Sequence, residues 1–131
     1  MKVLDATFLV DYLDGHDAVA EYLLSNETER FVVPAPVYAE ILAGEGNHPD
    51  GDVAGVAADL SWSEVYETDE ETALLAGEVA NEVGPQGPFL TGIDALVAAV
   101  GRELDAPVVT ADSDLTHEAT RGVVDVETYR E

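Results

Sequence analysis

The sequence predicts an α/β domain with three layers, in which helices flank a short, mostly parallel sheet. Short apolar runs that end in polar residues alternate with longer stretches whose apolar residues recur at helical spacing. Such alternation is typical of parallel βαβ units. The chain has 131 residues and contains neither an internal repeat nor a linker. Residues 1–131 are therefore expected to form a single domain.

The first half of the chain opens with an apolar run that predicts a strand ending at Asp5. Helical spacing of apolar residues follows, and Gly15 divides it into two helices. A second apolar run leads to Pro34 and Pro36, which favour the start of a helix. The predicted order is strand 2–4, helix 8–13, helix 19–25, strand 31–33, a helix that begins at the prolines, a loop at 44–52 and a helix at 53–60.

The second half contains the clearest helix, in which apolar residues from Ile93 to Leu104 form one stripe. Pro107 ends that helix, and the two valines after it predict a short buried strand. Thr68 and Glu71 have the spacing of a capping box for an earlier helix, predicted at 68–83. The predicted order is strand 63–67, helix 68–83, helix 91–104, strand 108–109, helix 115–120 and strand 123–126.

The absence of cysteine excludes a disulfide framework, thiolate zinc sites and a cysteine nucleophile. Every apolar run is far shorter than the roughly 18 residues that a membrane-spanning helix needs. Met1 leads directly into a predicted strand and not into a signal peptide. These features predict a cytoplasmic protein without a membrane segment.

The charge of the chain is extreme, with 28 acidic residues against 5 basic ones and a net charge of -23. The acids are spread between apolar positions along the whole chain, so they describe a surface and not a disordered tail. Such self-repulsion is tolerable near molar salt, where the Debye length is about 3 Å. The composition therefore predicts a halophilic protein. Arg30, Arg102, Arg121 and Arg130 are candidates for phosphate contact or for structural ion pairs.

Acidic residues follow or precede the predicted strands at positions that converge in space. Asp5 ends the first strand, Glu40 lies on the helix after the second, Asp94 opens the helix before the fourth, and Asp112 follows the fourth. In parallel sheets of this kind, functional sites lie outside the carboxyl ends of the strands. The spacing therefore predicts an acidic site at one edge of the sheet.

Each acid also has an ordinary structural interpretation. Asp5 and Asp94 could cap helices, the latter in a box with Thr91. Asp112 and Asp114 could be turn residues, because aspartate often bonds its own backbone in loops. Glu40 could be an exposed helical glutamate. These alternatives stay open at the level of the sequence.

The sequence resembles the PIN-domain ribonucleases, and within them the VapC-type toxins of type II toxin-antitoxin systems, over its whole length. The resemblance is carried by three stretches, VLDATFLVDYL, PVYAEILAG and IDALVAAVGRELDAPVVTADSDL. These contain Asp5, Glu40, Asp94 and Asp112 as the four family acids. The family usually has Thr followed by Ser or Asn after the first acid, whereas this chain has Ala6 and Thr7. Together with the resemblance, the acidic composition predicts a haloarchaeal source.

The resemblance implies a PIN-like three-layer fold and endonucleolytic cleavage of RNA with Mg²⁺ or Mn²⁺. Clustered carboxylates suit these ions, which prefer oxygen ligands. Asp5, Asp94 and Asp112 are the expected metal ligands, and Glu40 is a further ligand or orients the attacking water. The expected partners are an RNA substrate, a cognate antitoxin and a second copy of the chain in a homodimer.

Other classes of protein remain as alternatives. A free-standing RNA-processing PIN nuclease would share the acids, and a non-catalytic PIN-like binding module would share the fold. A haloacid-dehalogenase-like phosphatase requires a second aspartate where Thr7 stands and a catalytic lysine. Lys2 is the only lysine, which disfavours that phosphatase and also a phosphoacceptor receiver domain.

Overall fold

The computed structural model describes residues 1–130 and confirms the predicted fold class. Five parallel strands form one sheet in the order β3-β2-β1-β4-β5, and helices flank it. The strands are β1 Lys2–Leu4, β2 Phe31–Pro34, β3 Glu64–Tyr66, β4 Val108–Thr110 and β5 Val126–Thr128. The helices are α1 Ala6–Leu13, α2 Asp17–Ser25, α3 Ala35–Gly46, α4 Val53–Asp59, α5 Glu70–Val83, α6 Gly92–Leu104 and α7 Glu118–Arg121, with a 3-10 turn at Gly84–Gln86.

The longest described helix, α5, has 14 residues. Within residues 1–130, none of the helices combines the length and the apolar character that crossing a membrane requires.

The centre of the sheet is β1, which pairs in parallel with β2 on one side and β4 on the other. Val3, Leu4, Val108 and Val109 are fully buried, as expected for strands covered on both faces. Because all the strands are parallel, their carboxyl ends lie along the same edge of the sheet. The residues that follow β1 and β4 are thereby brought side by side.

Helix α6 packs closely against the sheet because it presents small residues. Ala98 is fully buried, and a Cβ on Gly101 would lie 2.7 Å from a methyl group of Val108. On its other side, α6 contacts α5 through Ala76, Ala95 and Ala99. This packing fixes the position of the first turn of α6, which carries Asp94.

Several boundaries differ from the sequence prediction. Helix α3 continues through Gly44 to Gly46, so the predicted loop begins later. The capping box of α5 is formed by Asp69 and Thr72, not by Thr68 and Glu71. The buried Thr72 hydroxyl also bonds Glu103 of α6, and this tertiary contact selects the register of the cap.

The end of the chain also differs from the sequence prediction. Helix α7 covers only Glu118–Arg121, and β5 begins at Val126 instead of Val123. The amides of Val123 and Val124 both donate to the carbonyl of Thr120, which closes a turn where a strand was predicted.

The few cations are used in contacts within the chain. Arg30 pairs with Glu64, Arg102 with Glu82 and Arg130 with Asp11, which confirms the structural interpretation for these three. The guanidinium of Arg121 donates to the carbonyls of Thr116 and Val126. Lys2 is held by Glu127, Tyr22 and Asn26.

Candidate metal centre at the carboxyl edge of the sheet

The four predicted acids line one cleft of about 690 Å³ at the carboxyl edge of the sheet. Asp5 and Asp112 lie at its floor, after β1 and β4, while Asp94 on α6 and Glu40 on α3 belong to its walls. The rest of the lining is mostly small or apolar and comes from α1, α3 and α6. The convergence expected from the sequence is therefore present in the structure.

Asp5 is buried, with only 3% of its surface exposed. Its Oδ1 accepts hydrogen bonds from the amide of Phe8 at 3.2 Å and from the hydroxyl of Thr7 at 2.7 Å, and its Oδ2 accepts from Thr110. Burial raises the pKa of this carboxyl group, with Asp112 adding to the rise, and the hydrogen bonds partly oppose it. Asp5 is thus both the N-cap of α1 and a residue of the acidic cleft.

Two threonine hydroxyls connect Asp5 to the loop after β4. Thr7 donates to Asp5 and accepts from the amide of Ala111 at 3.0 Å. Thr110 donates to Asp5 and accepts from the amide of Asp112 at 2.9 Å. The hydroxyl of Thr7 therefore contacts Asp5 directly and also binds the loop after β4.

Thr110 was missed by sequence reasoning, although it is fully buried and bonds both Asp5 and the Asp112 backbone. A signal was present, since a hydroxyl residue closes an apolar strand immediately before the acidic loop. Only the pairing of β1 with β4 shows that this hydroxyl faces the first acid.

Asp112 has a structural role in addition to its place in the cleft. Its Oδ1 accepts from the amides of Asp114 at 2.8 Å and Leu115 at 3.2 Å, as expected for an aspartate turn. The turn directs Asp114 back toward the site. Asp112 therefore forms the turn and also lines the cleft.

One carboxylate oxygen from each of Asp94, Asp112 and Asp114 lies within 4.8 Å of the other two. Asp114, whose part the sequence left open, belongs to this set. Among the described residues, Asp5 lies outside it, with both oxygens already hydrogen-bonded. The metal-ligand roles assigned from the sequence to Asp5, Asp94 and Asp112 stay predictions.

Asp94 lies in the first turn of α6, where its amide donates to the Thr91 hydroxyl at 3.2 Å. Burial raises the pKa of Asp94 to about 6, and the negative charge of Asp112 is the next cause, with smaller effects from Asp5 and Asp114. Like charges held this close favour either a proton or a cation. An all-oxygen donor set with excess negative charge fits a hard divalent ion such as Mg²⁺ or Mn²⁺.

The shift of Asp94 predicts an unusual pH dependence for the metal-free protein. Because the folded-state pKa is about 6 and the ordinary value is 3.8, the folded state binds this proton more tightly than the unfolded state does. The destabilising contribution is absent below the ordinary pKa and complete above about pH 6. Without divalent ions, Asp94→Asn should therefore match wild type near pH 4 and be more stable at pH 7.

Thermal unfolding in EDTA at fixed potassium, from pH 4 to pH 7, measures this difference. Saturating Mg²⁺ should make wild type the more stable protein, because only wild type keeps all three carboxylates of the proposed metal site. A constant difference between the two proteins at every pH would contradict the prediction.

Glu40 is exposed on α3, across the cleft from Asp94. Its side chain lines both the acidic cleft and an adjoining depression between α1 and α3. This position leaves Glu40 accessible to a ligand in the cleft. Its role as a ligand or as a group that orients water stays a prediction.

A five-stranded parallel sheet with carboxylates gathered at its carboxyl edge defines an α/β protein with an acidic site. The chain belongs to the PIN domain family, which matches residues 2–120. PIN domains are generally nucleases. No curated protein matches the chain.

Solved structures of similar fold cover nearly the whole chain. VapBC2 from Rickettsia felis, bound to a DNA fragment from its promoter, is 18% identical with a TM-score of 0.81, and the match covers 98% of both chains. DNA-bound VapBC from Salmonella typhimurium is 19% identical with a TM-score of 0.80, again over 98% of both chains. FitAcB from Neisseria gonorrhoeae is 19% identical with a TM-score of 0.79 over 98% of both chains. At these identities the similarity establishes the fold.

Proposed function

We propose that the protein is a metal-dependent endoribonuclease that hydrolyses RNA phosphodiester bonds with Mg²⁺ or Mn²⁺. The observation that carries the proposal is the gathering of the Asp94, Asp112 and Asp114 carboxylates within 4.8 Å, beside the buried Asp5. Membership of a family of nucleases supports hydrolysis of a phosphodiester. Cleavage of RNA in the presence and absence of EDTA, with site variants, tests it.

Each acid has a defined part in the proposed chemistry. Asp94 and Asp112 would hold the ion together with Asp114, and Asp5 would contribute by fixing the Asp112 loop through Thr110. A bound divalent ion lowers the pKa of its water and screens the scissile phosphate. Glu40, from the opposite wall, orients the attacking water and accepts its proton.

We further propose that the nuclease acts in the cytoplasm as the toxin of a toxin-antitoxin pair. Support comes from an apolar groove between α1 and α2, of about 660 Å³, that includes Tyr12, Leu13, Val19, Leu23 and Leu24. Leu24 is 73% exposed. The known complexes of similar fold carry toxin-antitoxin names, such as the one from Klebsiella pneumoniae.

The apolar groove is connected to the acidic cleft only through the depression between α1 and α3. Leu13 also lines the depression between α1 and α3, and that depression shares Ala6 and Glu40 with the cleft. An antitoxin segment with an apolar face and a following basic residue would fit this path, because the chain carries a net charge of -23. The basic residue would take the place of the metal and keep the nuclease inactive.

The partner proposal is tested by co-purification with the product of a small neighbouring gene. Leu24→Asp should prevent the complex and leave cleavage unchanged, because the groove lies away from the acids. Leu74→Asp is the matched control, since Leu74 is also exposed, at 64%, but lies on α5. Binding that survives Leu24→Asp would place the partner elsewhere, and absence of a small neighbouring gene would favour a free-standing RNA-processing nuclease.

A homodimer is also proposed, because two-fold dimers are the commonest homo-oligomers. Light scattering over a range of concentrations measures the state directly. A protein that binds RNA without cleaving it, with Mg²⁺ or Mn²⁺ present, would instead be a non-catalytic PIN-like binding module.

A further inference from the structure

Phe89 is the most exposed of the large hydrophobic residues, with 87% of its surface accessible. It lies in the segment that connects α5 to α6. On its C-terminal side, Leu90 packs against the core, and Thr91 caps α6 and lines the acidic cleft. An unpacked phenyl group is thus attached to a well-anchored part of the cleft wall.

The position of Phe89 suits contact with a strand bound in the cleft. Thr91 is two positions further along the chain, so the Cα atoms of Phe89 and Thr91 are at most about 7 Å apart. Ile93, which is 38% exposed, continues the apolar surface into the cleft lining. A nucleobase on Phe89 would therefore lie roughly one nucleotide from a phosphate at the acids.

The charge of the cleft requires a source of affinity other than cations. Among the described residues, the cleft lining includes four acids and neither lysine nor arginine. The cations at positions 2, 30, 102 and 130 are held by carboxylates within the chain. In concentrated salt, contacts between cations and phosphates also lose most of their affinity. Stacking of bases on aromatic side chains is much less dependent on charge and tolerates any base.

We propose that Phe89 is a base-stacking residue that holds a nucleobase of single-stranded RNA at the edge of the acidic cleft. The inference rests on the proposed ribonuclease function and names the form of RNA that the site takes. A base within a duplex is already stacked on its neighbours, so a lone phenyl group at the rim favours an unpaired strand. Phe89 sets substrate affinity and has no part in the chemical step.

The alternative occupant of Phe89 is a second copy of the chain. A stable dimer buries about 800 Å² on each partner, whereas one phenyl group offers about 150–250 Å². The exposed Leu74 does not extend the surface, because it lies nine residues before the end of α5, about 13 Å along the helix. A single phenyl beside the cleft matches the size of a nucleobase better than that of a subunit interface.

The test compares Phe89→Ala, Phe89→Leu and Phe89→Tyr with wild type, with Leu74→Ala as a matched exposed control. A fluorescently labelled single-stranded 12-nucleotide RNA of mixed sequence is the probe, at high potassium with Mg²⁺ or Mn²⁺. Phe89→Ala should raise KM by about 5- to 150-fold with kcat nearly unchanged, the range that loss of one stacked base predicts. Phe89→Tyr should retain wild-type KM, and Phe89→Leu should not, because it lacks an aromatic face.

Two further measurements separate the possible failures. Anisotropy of the labelled RNA on the Asp94→Asn protein, with and without Phe89→Ala, reports binding even if cleavage is absent. Equal KM and equal binding for Phe89→Ala and wild type would overturn the stacking role while leaving the nuclease intact. If Phe89→Ala changed the oligomeric state and Phe89→Leu retained the wild-type state, Phe89 would belong to a subunit contact and the proposal would be overturned. A wild-type protein that neither binds nor cleaves RNA would remove the proposed function as well.

Discussion

Replacement of Asp94 by asparagine is expected to lower RNA cleavage by more than about 100-fold. Changes to groups that only support metal ligands already cost 10- to 100-fold, and Asp94 belongs to the set of carboxylates within 4.8 Å. Asparagine preserves the size of the side chain, and the Asp94 amide that donates to Thr91 is unaffected. The loss should therefore affect kcat while the protein remains folded.

The control for this prediction is Asp125→Asn. Asp125 is exposed, and its carbonyl accepts from the amide of Val108 at the opposite end of β4 from Asp112. The same change of charge there should leave cleavage unaltered. Excess EDTA should abolish wild-type cleavage, and Mn²⁺ or Mg²⁺ should restore it. Full activity of Asp94→Asn would leave Asp94 with a structural role alone, and cleavage in EDTA would contradict the metal mechanism.

A loss of stability in dilute salt is the second large expected effect. Lowering the salt concentration from about 1 M to about 0.01 M lengthens the Debye length from about 3 Å to about 30 Å, so distant carboxylates begin to repel one another. With a net charge of -23 on 131 residues, we expect a loss of several kcal/mol. At about 4 °C per kcal/mol for a domain of this size, the midpoint of thermal unfolding should fall by about 10–25 °C.

Thermal unfolding across potassium concentrations measures the effect. A triple variant with glutamine at Glu21, Glu27 and Glu67, all exposed, should show a flatter dependence because it lowers the surface charge. A midpoint that stays constant with salt in wild type would contradict the halophilic interpretation.

Magnesium separates general screening from binding at the site. In dilute salt, Mg²⁺ should stabilise wild type more than sodium does at equal ionic strength, because it binds only the folded state. The additional stabilisation by Mg²⁺ over sodium should be absent in Asp94→Asn. Equal stabilisation of both proteins would mean that the ion acts by screening alone.

The helices and central strands could be predicted because their signals are local. The spacing of apolar residues in α6 and the apolar pair of β4 are patterns within a few residues, and the structure confirms both elements. The sequence signal for the cap of α5 was wrong, because a tertiary contact favours a different pair of capping residues. Thr72 defines the cap of α5 because its hydroxyl reaches Glu103, and this contact lies 31 residues away in sequence.

The sequence by itself determined that carboxylates lie at one edge of a parallel sheet, because the alternation of strands and helices implies parallel strands, whose carboxyl ends share one edge. Only the tertiary structure decided how the acids are used. The pairing of β1 with β4 brings Thr110 onto Asp5 and buries that carboxylate. The turn at Asp112 adds Asp114 to the cluster. Burial and the nearby carboxylates raise the pKa of Asp94. Both effects depend on distances in space, which the spacing of residues along the chain does not specify.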